Sequence, residues 1–249
     1  MRIAPRWWVG LLPVVLYAAW LLGTALYQGI DYRQIGAPAN LLPALILPLS
    51  VAGIAMLAFL VWSGWTRRVF FEAHRVRKPV ILATLLLLMG SCIALYATAV
   101  PLRALDPHYL LMLALAMLLV GFCEEVLTRG ILLVGLRGSC PEVWVWFWSS
   151  LAFGSMHALN GLLGVGALAL LQVVLAFCAG TCLYLLRRLT GTLLIPIMVH
   201  AAWDFSTFLP AAGKVASPPI GMALLLLTYV VTLVLLVLFF RQQARGTRR

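Results

Sequence analysis

Charge is scarce in this chain. Of 249 residues only 10% are Asp, Glu, Lys or Arg, against 64% that are hydrophobic. That balance excludes an ordinary soluble domain and implies a bilayer as solvent. Acidic residues are the scarcest, seven in all, so each one can be accounted for individually. The sequence has no CxxC pair, no His-Glu-x-x-His zinc helix and no Gly-x-Ser-x-Gly nucleophile turn, which removes the usual signatures of redox domains, helix-borne zinc peptidases and serine hydrolases. Its five cysteines, Cys92, Cys123, Cys140, Cys178 and Cys182, fall mostly inside apolar runs, where a thiol packs as a small hydrophobe.

What is abundant is long apolar sequence. Stretches at roughly 7–28, 41–65, 79–101, 108–136, 143–160, 166–186, 192–210 and 219–240 predict an all-α polytopic membrane bundle of about eight transmembrane helices. Pro43, Pro79, Pro101, Pro107, Pro141, Gly191 and Pro219 mark its boundaries, and the glycines of Asn160 to Gly166 blur one of them. The basic N-terminal segment resembles a signal sequence but lacks a small-residue cleavage site, so it counts as the first span. The net charge of +11 sits in short clusters between apolar runs, which reads as membrane topology and not as a nucleic-acid surface. With both termini cytoplasmic, Arg2, Arg6, Arg67, Arg68, Arg75, Arg77, Lys78, Arg137, Arg187, Arg188, Arg241, Arg245, Arg248 and Arg249 fall inside, and Arg33, Arg103 and Lys214 outside.

Asp31, Glu72, Asp106 and Glu142 fall in predicted loops, where water solvates them. Glu124, Glu125, Asp204 and Arg129 lie within apolar helices instead, at roughly 2.5–3.5 kcal/mol each on insertion scales. Glu125 and Arg129, at i and i+4, account for each other as a buried ion pair that locks helices together. Glu124 lies about 100° round the helix and needs its own partner from another segment. His157, His200 and Asp204 are the candidates. A rise of 1.5 Å per residue puts Glu124 and Glu125 about 18–20 Å, His157 about 21 Å, and His200 with Asp204 about 12–18 Å from the inner ends of their spans. A lone intramembrane histidine is more often an interhelical hydrogen bonder. Three helices presenting polar groups at one depth describe a convergent site. His200 and Asp204 share a helix face, and Pro196 one turn earlier is expected to bend or open that helix. His74 and His108 read as solvated, and Trp144, Trp146 and Trp148 as interfacial anchors.

These residues resemble the CAAX proteases and bacteriocin-processing enzymes (CPBP), intramembrane proteases related to type II CAAX prenyl endopeptidase. Glu-Glu-x-x-x-Arg is present as Glu124, Glu125 and Arg129, Phe-x-x-x-His as Phe153 and His157, and His-x-x-x-Asn/Asp as His200 and Asp204. Each motif is weak alone; their order and spacing make the set specific. The resemblance covers about the third to the seventh span, a core at 79–210 within a single integral membrane domain, 1–249. It implies an eight-helix bundle, a cavity within the membrane, and hydrolysis of a peptide bond in a membrane-associated or lipidated peptide or protein.

In that reading Glu124 is the general base, His157 shares its water, Glu125 and Arg129 fix local geometry, and His200 with Asp204 stabilises an oxyanion or binds a metal. If a metal is used, Zn2+ on Glu124, His157, His200 and Asp204 is the expectation. An Asn at 204 could donate to an oxyanion, whereas Asp204 donates only when protonated, which leans towards ligation. The metal-free, glutamate-dependent mechanism stays open beside it. The competing functions are a proton-coupled transporter, which uses the same residue types, and a non-catalytic bacteriocin-immunity or scaffold protein. Sixteen Arg against two Lys, with much Ala, Leu and Gly, suggest a GC-rich prokaryote and hence a bacterial inner membrane. Prenyl-protein processing and bacterial peptide processing remain equally open as the source of substrate.

Overall fold

The computed structural model describes residues 2–246. Arg248 and Arg249, expected on the inner face, lie outside them, as does the side chain of Arg245. No strand occurs among the described residues, and one isolated bridge joins Phe71 to Thr192. The main helices are α1 (Trp7–Tyr27), α2 (Pro38–Ser63), α3 (Pro79–Ala97), α4 (Pro107–Arg137), α5 (Glu142–Met156), α6 (Leu168–Thr190), α7 (Leu194–Ala212) and α8 (Gly221–Gly246).

Local chemistry sets most of these boundaries. Pro38, Pro79 and Pro107 open their helices at positions where the missing N–H costs nothing. The Asp106 carboxylate accepts from the His108 N–H at 3.0 Å, capping α4. Pro196 falls in the first turn of α7, which begins at Leu194, so it does not bend the helix as expected. Its absent donor had no partner there to lose.

Among the described residues six helices, α1–α4, α6 and α8, are long and apolar enough to cross a membrane. The other two expected spans form shorter or more polar helices. α5 runs for 15 residues before tightening into a 3-10 helix, His157–Leu163, and α7 carries His200 and Asp204 among its apolar residues. α4 meets α7 at Gly121, where a Cβ would lie 2.8 Å from the Ile197 carbonyl oxygen and 3.0 Å from the Ala201 nitrogen. That close backbone approach brings Glu124 and Glu125, one turn further on, beside His200.

Backbone bonds tie the N-terminal segment to the end of α2, and the α2–α3 connection to α6 and the α6–α7 connection, at one end of the bundle. Arg2 N–H donates to the Ser63 carbonyl, Glu72 N–H to Gly191, Leu193 N–H to Phe70 and Val76 N–H to Arg188. Here one expectation fails: Glu72 is not solvated, and Glu142, its side chain 24% exposed, is drawn with it into a network of ion pairs that also takes up Arg187 and Arg188. Glu72 is 8% exposed, Arg187 0% and Arg188 2%. Arg137 bridges Glu72 at 2.9 Å and Glu142 at 2.6 Å, Arg187 meets Glu72 at 3.0 Å, and Arg188 meets Glu142 at 2.6 Å. Tyr184 adds its hydroxyl to Glu142 at 2.7 Å. The loop after α2 folds down against the ends of α4 and α6 and excludes water, so the charges must satisfy one another. Trp146 departs from its expected role as an anchor too. Its indole N–H donates to Thr181 Oγ1 at 3.0 Å, and its ring packs on Phe177 and Phe240, while Trp144 and Trp148 are exposed.

Burial works against ionisation of Glu72, but the charges of Arg137 and Arg187 outweigh it and hold the carboxyl below its ordinary range. Glu142 is held low in the same way, burial being overcome by its hydrogen bonds and charge contacts with Arg137 and by the charge of Arg188. A depressed carboxylate contributes stability that is fully present above its unfolded pKa, about 4.3, and is lost as pH falls through the folded value. The melting temperature of the detergent-solubilised protein should therefore drop as pH falls below about 4. Glu72→Ala, which strands Arg187, should cost roughly 3–5 kcal/mol at neutral pH. Unchanged melting from pH 5 to 3 would remove the network as a source of stability.

Candidate active site

The polar residues expected within the membrane converge on one cavity. Its parts come from α4, the α5 junction and α7. α4 is α-helical to Glu125, π-helical over Val126–Leu132 and α-helical again from Leu133. A π-type segment is rare and is frequently found at functional sites. Here it follows directly on the two glutamates and contains Arg129.

Arg129 is fully buried. Its Nη1 donates to Glu125 Oε1 and to Thr128 Oγ1, both at 2.8 Å, and Thr128 donates in turn to the Glu124 carbonyl at 2.6 Å. The guanidinium lies over the Phe153 ring, 4.0 Å from its centroid. Among the described residues Glu125 Oε2 and the Nε and Nη2 of Arg129 have no hydrogen-bond partner. The Phe153 π face compensates part of that deficit, since a desolvated cation–π contact is worth about 2 kcal/mol. Room for the guanidinium exists because residue 180 is glycine: a Cβ there would lie 2.5 Å from Arg129 Nη2.

Glu125 also faces α7. Its Oε1 is 2.9 Å from His200 Nδ1. The other ring nitrogen, Nε2, is 3.3 Å from Asp204 Oδ2 and 3.9 Å from Glu124 Oε2. Three carboxylates thus surround one imidazole, whose own exposure is 6%. Phe153 stands edge-on to both histidine rings, with centroid separations of 5.1 Å to His157 and 5.6 Å to His200. His157 begins the 3-10 helix, and its Nδ1 lies 3.0 Å from the Phe153 carbonyl. A carbonyl only accepts, so Nδ1 carries the proton and Nε2 presents a lone pair.

Glu124, His157, His200 and Asp204 all line a cavity of about 480 Å³ whose remaining wall is largely apolar, with Leu21, Leu45, Met117 and Leu183 among its members. Glu125 and Arg129 sit behind this wall and line no part of it. The site the motifs anticipated is therefore assembled in space, in two layers. The cavity has a second polar group that the motifs do not cover. Asn160 Nδ2 donates to Gln172 Oε1 at 2.9 Å, and Gln172 Nε2 to the Tyr32 hydroxyl at 3.4 Å. Asn160 and Gln172 are polar residues next to a blurred span boundary, and that was the only trace of them in the sequence.

Among the described residues no three His, Cys, Asp or Glu side chains form a group able to hold a metal ion. The proposed ligands also have competing engagements. Both nitrogens of His200 face carboxylate oxygens, so neither presents a lone pair without a rotation of the ring. The cysteines stay in packing roles: Cys123 donates to the Leu49 carbonyl and Cys92 pairs with Thr228.

Compared with known families, residues 106–206 match the model described as type II CAAX prenyl endopeptidase Rce1-like. The matched stretch runs from the cap of α4 past Asp204 in α7. No curated protein and no solved structure matches the chain.

Gly180→Ala drives a methyl group into the held guanidinium, and overpacking of this kind costs roughly 1–3 kcal/mol. It should lower the thermal midpoint, whereas Gly90→Ala, with nothing within 4 Å of its Cβ, should not. Equal midpoints for the two variants would mean that Arg129 is not fixed as described.

Proposed function

We propose that the chain, which matches the type II CAAX prenyl endopeptidase Rce1-like family over the stretch that carries its polar cluster, is a member of the CPBP family and an intramembrane endopeptidase acting on a membrane-associated or lipidated peptide or protein. The observation that carries this reading is the meeting of Glu124, His157, His200 and Asp204 on one largely apolar cavity. An apolar cavity with a few convergent polar groups suits a lipid-like or apolar peptide segment with one reactive bond. We read the fold as an eight-span bundle with both termini cytoplasmic, in a bacterial inner membrane.

The residues divide the work of amide hydrolysis between them. Glu124 and the free Nε2 of His157 hold a water, and Glu124 accepts its proton as the oxygen attacks the scissile carbonyl carbon. His200, held through Nδ1 by Glu125, offers its Nε2–H to the carbonyl oxygen as negative charge develops there. Asp204 holds that N–H before substrate arrives. Arg129 pins Glu125, so the orientation of His200 is set from behind the cavity wall. On collapse of the tetrahedral intermediate, Glu124 returns the proton to the departing amine and the C–N bond breaks. This scheme routes no step through a metal. Zinc on the same residues would require His200 to release a carboxylate.

Glu124→Gln keeps the shape and removes the base, so hydrolysis by the purified protein should fall by at least about 10²-fold. In cells, a membrane protein that accumulates only with Glu124→Gln would be the substrate. Elemental analysis of active enzyme adds the metal question: stoichiometric zinc whose removal abolishes cleavage would replace the scheme above. Retained hydrolysis in Glu124→Gln would refute it outright, and Glu124-dependent proton flux in liposomes without cleavage would favour a transporter.

A further inference from the structure

A buried cation lies outside the three motifs and touches the site from below. Arg187, on the last turns of α6, is fully buried, yet it projects away from the cavity and towards the loop after α2. Its guanidinium serves two pieces of chain, the segment after α2 twice and α4 once. Nε donates to Glu72 Oε2 at 3.0 Å, Nη2 to the Arg68 carbonyl at 2.8 Å, and Nη1 to the carbonyl of Arg129. That last acceptor belongs to the π-helical segment. In the stretch where pairing passes from i→i+4 to i→i+5, a main-chain carbonyl takes a donor from another helix.

The connection continues into the site. The Arg129 backbone is gripped by Arg187, the Arg129 side chain grips Glu125, and Glu125 holds His200 Nδ1. We propose that Arg187 is a positioning residue: it clamps the π-helical segment of α4 to the folded-down loop at Glu72, and so sets where Glu125 and His200 stand. The consequence for catalysis rests on the peptidase reading; the clamp itself does not. Three acceptors at three directions require the planar fork of arginine, which the point charge of lysine cannot supply. Arg137 is the natural control, because it shares Glu72 but among the described residues its side chain bonds to the carboxylates of Glu72 and Glu142 alone.

The test compares Arg187→Lys with Arg137→Lys using readouts independent of cleavage. The chain has four histidines, so histidine-labelled protein in micelles gives a small set of imidazole signals, assignable by single substitution. Arg187→Lys should shift the His200 signals, leave those of exposed His108 in place, and speed amide exchange across Val126–Leu132 roughly tenfold. Arg137→Lys should do neither. Where Glu124-dependent hydrolysis of the accumulating membrane protein is established, kcat should fall on the order of 10²-fold in Arg187→Lys with KM little changed. The proposal is overturned if Arg187→Lys leaves both the His200 signals and the exchange at wild-type values, or if Arg137→Lys reproduces both changes. Should Arg187→Lys fail to fold, Glu72→Gln, which weakens the anchor and keeps the arginine, is judged by the same two readouts. A protein that cleaves nothing still answers the question, which separates failure of the clamp from failure of the peptidase reading.

Discussion

Burying the Arg129 guanidinium in an apolar interior is a large cost that the surrounding structure is arranged to offset. An isolated cation there would be untenable, so Glu125 is held at 2.8 Å, Phe153 lies beneath it at 4.0 Å and Gly180 leaves the space it occupies. Each of these partners comes with a constraint. Glu125 cannot turn away without stranding a cation, so its second contact, the 2.9 Å approach to His200, is fixed in direction. Phe153 cannot rotate without losing the cation, so His157, one turn later on the same junction, is fixed as well. The pair that does no chemistry in the proposed scheme therefore determines where the groups that do chemistry stand.

The site's legibility in the sequence follows from where ionisable groups are expensive. Glu124, Glu125, Arg129, His157, His200 and Asp204 stood out because each interrupts an apolar run, and the helical rise alone put them at a common depth. Periodicity could not say that Glu125 would serve Arg129 and His200 at once, because that depends on the close approach at Gly121. Nor could it show the π-type segment, since the hydrophobic pattern of α4 continues through it. Glu72, Glu142, Arg187 and Arg188 gave no sign of their pairing, for the opposite reason. They lie at the ends of apolar runs, where charge is normally solvated, and only the loop folding back over α4 and α6 makes them an interior network.

The same distinction separates the helices themselves. The six that meet the requirements of length and apolarity form the scaffold, and the two that carry His157, His200 and Asp204 meet them least well. A 15-residue α5 spans about 22 Å, short of the roughly 30 Å hydrocarbon core. The seven-residue 3-10 continuation, at about 2.0 Å per residue, adds about 14 Å. The seven further residues give this segment its reach, since even at the α-helical rise they would bring it to about 33 Å, and His157 is the residue at which the helix type changes. In α7 the departure is in composition, with two ionisable side chains on one face.

Departures from regular, apolar helix are tolerated within a bilayer only where protein or a water-filled cavity takes up the exposed polar groups. Two such backbone departures, the π-type segment Leu41–Ile46 of α2 and the α to 3-10 change after α5, border the same cavity that His200 and Asp204 face from α7. Spread over separate surfaces, each would expose polar groups to lipid with nothing to satisfy them. Gathered around one space, they leave the outer surface to the apolar faces of the remaining helices and give water a reason to be inside. Amide hydrolysis needs that water, and the rest of the interior is built to exclude it.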